Sequence, residues 1–361
     1  MAKIAASRKA RQRRAYLVAS GLVSALVLFV AGSGWVLTGY VNHTVARVNS
    51  GTTAAAPGAP LNILLAGVDR RNGLTRREED ELHVSPVQGT ANPDTMMLVH
   101  ISPAHRRVTV TSIPRDSWVG IPGHGMSKIN AAYKLGGPKL VVRTVEQATH
   151  LTVNDYVEVN FLAFVKVIDA LGGVNVCLPQ PLHDPSSGIY LTAGFHHLDG
   201  ISALEYARDR HSFPLEDLTR IQDQQGLLST ALTKIISSGT LASPLRLAHL
   251  LGAVLPALRV DKSLNMSALA GELRGITAHD VAFLTVPVAN PGYQAADGES
   301  GVLWNARDAA RLFSEIRADQ PVIRTATVAH RAKRHSTKPR RRQPPGWTPP
   351  GARTAAQAAC H

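Results

Sequence analysis

Cysteine is nearly absent: 361 residues hold only Cys177 and Cys360. Two are too few for a disulfide scaffold or a zinc ribbon. His196-His197 and His211 offer no i, i+4 pair and have no cysteine nearby, so they make poor metal ligands. No internal repeat is visible, and no helix-turn-helix or zinc motif points to nucleic acid. Acids are missing from the whole stretch before Asp69, and residues 15–46 contain no Lys, Arg, Asp or Glu.

What is present is a folding composition, 44% hydrophobic and 18% charged, which excludes a wholly disordered chain. The net charge of +13 is a property of the ends. Sixteen of the 39 basic residues lie before residue 48 or from Arg324 onward. Residues 48–323 carry all 26 acids and 23 basic residues, a balance of −3.

Tyr16–Leu37 is an apolar run of 22 residues. As a helix it reaches about 33 Å, enough for a hydrocarbon layer of about 30 Å. Tyr16 at one end and Trp35 and Tyr40 at the other suit the interfaces, and RKARQRR before it keeps residues 1–15 in the cytoplasm. The run exceeds a usual signal-peptide core, and no A-x-A site follows promptly. The expected organisation is a basic cytoplasmic segment (1–15), a transmembrane helix (16–38), a linker (39–60), an extracytoplasmic body (61–323) and a basic, Pro-rich, disordered tail (324–361). A single-pass cell-membrane protein with its body outside is the localisation this implies.

Within the body, LNILLAG from Leu61 predicts a buried strand and residues 73–91 a long loop. Thr95–Ile101 and Arg107–Ile113 predict an antiparallel hairpin. Helices are expected over Asn130–His150, broken at Gly136-Gly137-Pro138, and over Leu162–Ala170, Ser202–Arg208, Leu218–Ser237, Leu245–Leu258, Met266–Gly275 and Ala306–Ala318. Strands are expected over Tyr156–Val159, Val174–Leu178 and Val281–Val288, with Cys177 a core residue. Strands alternating with helices predict an α/β fold, three-layer α/β/α with a mixed central sheet, preceded by the transmembrane helix.

Four segments carry chemistry. Asp69 follows a buried strand, and Asp94 precedes another. Pro114-Arg115-Asp116 ends a third. The fourth runs from Glu205 through Arg208, Arg210 and His211 to Asp217-Leu218-Thr219-Arg220 and Gln224-Gln225. Ligand sites of α/β sheets lie beyond strand ends, and Asp217, Arg220 and Gln224 share one helix face. Arginine matches phosphate oxygens in pairs, and Mg²⁺ needs only one or two carboxylates beside phosphate oxygens. Together these types describe a site for a pyrophosphate ester with a metal. Asp94 and Asp217 are both available as proton acceptor. Leu218, Ile221, Leu228, Leu232, Leu247, Leu251, Val254 and Leu258 form apolar stripes, either core or the lining of a lipid groove.

Taken in order, NILLAGVD, PDTMMLVHI, VTSIPRDSWV, KINAAY, YVEVNFLAFVKVIDALGGV, LDGISALEYARDRH and DLTRIQDQQ resemble the LytR-CpsA-Psr family of cell-envelope proteins, whose members also carry transcriptional-attenuator labels. The resemblance runs from about Leu61 to Gln225. It implies an α/β/α fold and a Mg²⁺-dependent phosphotransferase that moves a glycopolymer from a polyprenyl-pyrophosphate carrier to peptidoglycan at the membrane. A body expected outside the membrane and itself at −3 argues against a nucleic-acid partner. By the same resemblance Asp69 and Asp94 match the metal acids, and Arg115, Arg208, Arg210 and Arg220 match the arginines around the pyrophosphate. Gln224 matches a polar neighbour, and Asp94, Arg115 and Arg220 are the residues expected to carry catalysis. Hydrolysis, or carrier binding without turnover, would use the same residues. Two positions depart from the pattern: Asn92 and Asp223 each stand where the family usually has Arg, with Arg70 and Arg71 near enough to compensate.

Overall fold

The chain divides into two units, Met1–Thr44 and Val45–His361, and the fold is that of the second. The computed structural model describes residues 44–56, 58–70, 75–82, 92–103, 107–178, 181–184, 188–208, 216–237, 250–265, 269, 273, 276–296, 298–322 and 353–354. Among these no helix is long and apolar enough to cross a membrane; the expected transmembrane helix, 16–38, lies outside them, as does nearly all of the tail.

In chain order the first strands are β1 (Ala46–Val48), β2 (Leu61–Val68), β3 (Pro93–Ile101), β4 (Val108–Ile113), β5 (Trp118–Ile121), β6 (Gly125–Lys128) and β7 (Asp155–Val159). There follow β8 (Val174–Leu178), β9 (Leu182–Asp184), β10 (Ile189–Leu191), β11 (Gly194–Leu198), β12 (Leu258–Asp261), β13 (Val281–Thr285), β14 (Val288–Gln294), β15 (Ser300–Trp304) and β16 (Arg353–Thr354). The helices are α1 (Arg76–Glu81), α2 (Ala131–Thr149), α3 (Phe161–Ala170), α4 (Gly200–Arg208), α5 (Glu216–Ser237) and α6 (Ala306–Arg317).

Eight strands make one mixed sheet in the order β1-β12-β7-β2-β3-β4-β13-β16. Three pairs are parallel (β1 with β12, β2 with β7, β4 with β13) and the others antiparallel, so the expected mixed α/β sheet is present. Period-two alternation serves both faces. Leu64, Ala66 and Val68 of β2 pack with Leu140, Val141 and Val145 of α2 and Leu312, Phe313 and Ile316 of α6. Ile63 and Leu65 face the other way, in the core that receives Leu228 and Leu232 of α5. Those two leucines of the apolar stripe are therefore sheet-packing residues.

Several expectations change. Residues 73–91 contain the short helix α1, which the apolar reading missed because RREEDE supports a helix with i, i+4 opposite charges and not with an apolar face. Residues 250–254 are helical, but the chain then turns at Pro256 into β12, since proline cannot continue the ladder of amide donors. The break in α2 stands: Gly137 takes φ 64°, a left-handed value glycine tolerates, and Pro138 restarts the helix. Cys177 is exposed, not core, because Val174, Val176 and Leu178 take the inward phase of β8 and leave it outward. It is disulfide-bonded, and Cys360, the one other cysteine, lies outside the described residues.

The stretch read as a spacer supplies β1 and is tied to the body. Ser50 gives its backbone N–H (3.0 Å) and its hydroxyl to Asp261, and Ser263 gives its N–H (2.8 Å) and hydroxyl (2.6 Å) to the other oxygen. Burial pushes the Asp261 carboxyl up, but these hydrogen bonds outweigh it and hold it at about 2. A carboxylate depressed on folding contributes stability above its ordinary value of 3.8 that is lost as pH falls toward about 2. Asp261→Asn is expected to lower the urea midpoint at neutral pH and to flatten its decline across that window; parallel pH profiles for the two proteins would contradict this.

Candidate functional site

The site forms where β2 ends and β3 begins. Gly67 pairs with Thr95 and Val68 with Pro93, so Asp94 is the extra residue of a β-bulge and drops out of the ladder. A bulge bends its strand and re-aims the side chain there. Asp69 follows Val68, the residue paired with Pro93, so it leaves the neighbouring strand beside this bulge. Continuing the β3–β4 register, in which Met96 pairs with Ile113, brings Arg115 opposite Asp94. The two meet: Arg115 Nη1 donates to Asp94 Oδ1 at 2.6 Å. The side chains are 19% and 34% exposed, so the pair sits at a mouth open to solvent.

Local chemistry fixes Arg115. Pro114 ends β4, and a turn is closed by Ser117 N–H and hydroxyl donating to the Pro114 carbonyl at 3.1 and 2.7 Å. Arg115 Nε donates to Asp116 at 3.2 Å, and Lys128 lies 3.6 Å from the other oxygen of Asp116. Charges thus alternate along Lys128, Asp116, Arg115 and Asp94.

Beneath Asp69 lies a group that the sequence reading did not single out. Glu158 of β7 is 2% exposed. It accepts from Tyr133 at 2.9 Å, Tyr156 at 3.2 Å and Arg259 at 3.2 Å, and pairs with Arg70 at 2.7 Å. Arg70 also donates to the Tyr133 hydroxyl at 2.6 Å. Burial, then the charge on Glu158, pushes both phenols above their ordinary value and keeps them protonated donors. An acid in phase with buried Tyr156 on a core strand was the available signal. Arg70 is thereby committed to Glu158; Arg71, the other candidate to offset Asn92, lies outside the described residues. Among the described residues, buried Asn92 Oδ1 and Arg70 Nε, at the ends of these adjoining strands, have no hydrogen-bond partner.

The arginine-rich segment arrives on two helices. Arg208, at the end of α4, lies over the Phe161 ring at 5.0 Å, a cation–π contact that ties it to the start of α3. Arg210 lies outside the described residues. Asp217, Arg220, Asp223 and Gln224 fall in the first turns of α5, where the backbone alone is described. Gln225 shows where those turns go. It is 2% exposed, and its amide donates to Ser112 Oγ, the Leu284 carbonyl and Thr285 Oγ1 at 2.9, 3.1 and 3.2 Å. These are the last residues of β4 and β13, so α5 enters at the sheet end from which Arg115 emerges. Asp69, Asp94, Arg115 and the start of α5 thus share one sheet end.

The family model for the LytR_cpsA_psr family matches residues 41–315. The chain is 34% identical over 287 residues to the "Probable cell wall biosynthesis protein LcpB" of Corynebacterium glutamicum, covering 78% of this chain and 67% of that one. It is 36% identical over 198 residues to the "Polyisoprenyl-teichoic acid--peptidoglycan teichoic acid transferase TagU" of Oceanobacillus iheyensis, covering 53% and 57%. A solved structure described as TagT bound to LIIa-WTA superposes with a TM-score of 0.55 at 26% identity, covering 74% of this chain and 93% of that one.

Glu158→Gln keeps the shape of the side chain but leaves Arg70 and Arg259 without their counter-charge. A stability loss of about 3 kcal/mol is expected in urea titrations. An unchanged midpoint would mean that the two guanidiniums are held by solvent instead.

Proposed function

The chain belongs to the LytR-CpsA-Psr family, and from that premise we propose that it moves a glycopolymer from a polyprenyl-pyrophosphate carrier onto peptidoglycan through a phosphodiester bond. The observation that carries this reading is Asp94, bulged out of its ladder and bonded to Arg115 beside Asp69. The names of the TagU relative and of the TagT complex support the substrate class. The charge asymmetry around Tyr16–Leu37 supports a membrane anchor with the body outside the cytoplasm, where both carrier and acceptor are met.

In the reaction an acceptor hydroxyl oxygen attacks the phosphorus that bears the glycan. The bridging P–O bond breaks, its electron pair leaves on the polyprenyl phosphate, and the hydroxyl proton passes to a carboxylate, Asp94 or Asp217. Such chemistry is mostly positioning and electrostatic stabilisation. Arg115 and Arg220 oppose the charge growing on the departing phosphate, with Arg208, Arg210 and Gln224 holding the remaining oxygens.

The donor set fits a hard divalent cation. Two carboxylates come from adjoining strand ends, and beside them the Asn92 amide oxygen is buried with no partner among the described residues. Asp69 and Asp94 would hold Mg²⁺, which supplies positive charge to phosphate oxygens. Asn92 itself presents an oxygen where the family has a guanidinium, so phosphate binding rests more heavily on Arg115 and the α5 arginine.

The test is incubation of the purified protein with a short polyprenyl-pyrophosphoryl glycan, Mg²⁺ and nascent peptidoglycan. Covalent glycan on the peptidoglycan is expected. Asp94→Asn and Arg115→Lys should each lower turnover about a hundredfold, the latter because an ammonium loses the bidentate fork. Lipid phosphate released without glycan attachment would replace transfer by hydrolysis, and binding without turnover would make the chain a carrier-binding protein.

A further inference from the structure

Next to the strand-end site stand two hairpins that the transfer chemistry does not use. In β5–β6, Trp118 pairs with Lys128 and Gly120 with Met126. Directly paired residues share a face. Val119 and Ile121, the alternate residues, are 8% and 2% exposed and belong to the core. Trp118, Lys128 and Met126 therefore stand on the outward face, where Met126 is 57% exposed.

The second hairpin, β14–β15, docks against the first. Ser117 bridges to Val302, and Val302 N–H donates to the Asp116 carbonyl at 2.8 Å. Tyr293 pairs with Gly301, and the Tyr293 ring lies 6.1 Å from that of Trp118, tilted by 52°. A Cβ on Gly301 would come within 3.1 Å of the indole, so the absence of a side chain there lets the hairpin close onto Trp118. Trp304 Nε1 donates to Ser117 Oγ at 2.8 Å and clamps the base of both hairpins to the end of β4.

We propose that Trp118 and Tyr293 form the acceptor ledge, a subsite on which a strand of N-acetylated amino sugars lies while one of its hydroxyls is presented to Asp94 and Arg115. This rests on the transfer reading and adds where the acceptor binds. Three features select a glycan as occupant. Two neighbouring aromatic rings offer flat faces to the C–H faces of pyranose rings. Lys128 and Asp116 supply a donor and an acceptor at the rim for hydroxyl and acetamido groups. The ledge adjoins the site through side-chain contacts: Asp116 pairs with Lys128 at 3.6 Å and accepts from Arg115 at 3.2 Å, and Arg115 bonds Asp94 at 2.6 Å. The hairpins' backbone ties make the ledge rigid, which limits the entropy lost on binding.

Binding is measured with chito-oligosaccharide in calorimetric titration and with insoluble peptidoglycan in sedimentation, and acceptor and carrier dependence in the transfer assay. Trp118→Ala and Tyr293→Ala should each weaken glycan binding about three- to tenfold and raise the acceptor KM with the carrier KM unchanged. Tyr293→Phe, which keeps the ring, should retain most of the affinity. Tyr293 lies on an exposed hairpin, so its variants keep the test valid if Trp118→Ala fails to fold. Wild-type glycan affinity in Tyr293→Ala, with intact circular dichroism, would overturn the ledge even while transfer proceeds. Loss of glycan binding in a protein that never transfers would sustain the ledge and remove the transfer reading. Retained glycan binding with loss of an apolar peptide contact would assign the face to a protein partner, and would equally overturn the proposal.

Discussion

A carboxylate taken out of water must bring its own cations and donors with it, and Glu158 sets that condition at the centre of the sheet. Its partners come from four places: the end of β2 through Arg70, β12 through Arg259, α2 through Tyr133, and its own strand through Tyr156. Satisfying one buried charge therefore fixes three neighbouring strands and a helix relative to one another. The tie at Arg70 matters most for function, because the preceding residue is Asp69. The strand end that presents this acid is anchored from below and not left to a loop.

The other half of the site depends on a second buried polar contact. Gln225 spends its amide on the terminal residues of β4 and β13, which fixes both the height and the rotation of α5. About one and two turns further along, Leu228 and Leu232 pack on the sheet. The helix is thus polar where it meets the strand ends and apolar where it crosses the sheet face. This explains how one helix can serve as core and also carry Arg220 and Gln224 to the sheet edge. Gln225 is thus the member of the glutamine pair that holds the helix to the sheet.

Much of this was legible in the sequence because the central strands announce themselves by apolar alternation and the helices by their caps and glycine breaks. The hairpin of β3 and β4, the broken helix around Gly136 to Pro138, and the acids at strand ends all follow from such local rules. What escaped was set by tertiary contact. Glu158 sits in a strand that reads as ordinary, and its role depends on Arg259, a hundred residues later. The bulge at Asp94 needs the register with β2, which no local pattern specifies. β14–β15 is short, largely exposed on β14 and interrupted by Pro291 and three glycines, so it lacks the apolar period that marks a strand. Cys177 was misread because its neighbours are apolar, although period two places it outside.

The Arg115 contacts also impose a coupling. One nitrogen of its guanidinium serves Asp94 and another serves Asp116. On the proposed reading, a phosphate that drew Arg115 toward itself would leave the Asp94 carboxylate short of positive charge, and a divalent cation at Asp94 would restore it. A cation that took Asp94 would in turn release a guanidinium nitrogen for phosphate. Each ligand would therefore favour the other on electrostatic grounds, and linkage would make the effect reciprocal. Asn92 strengthens this dependence. Its amide oxygen cannot pair with a phosphate oxygen, since both are acceptors, yet it can accept a hydrogen bond from a cation-bound water or a sugar hydroxyl. With Asn at position 92 and Arg70 committed to Glu158, Arg115 is the guanidinium seen on Asp94 among the described residues, so the proposed exchange would run through it. The Lys128–Asp116 contact on the far side steadies the carboxylate that accepts from Arg115 Nε.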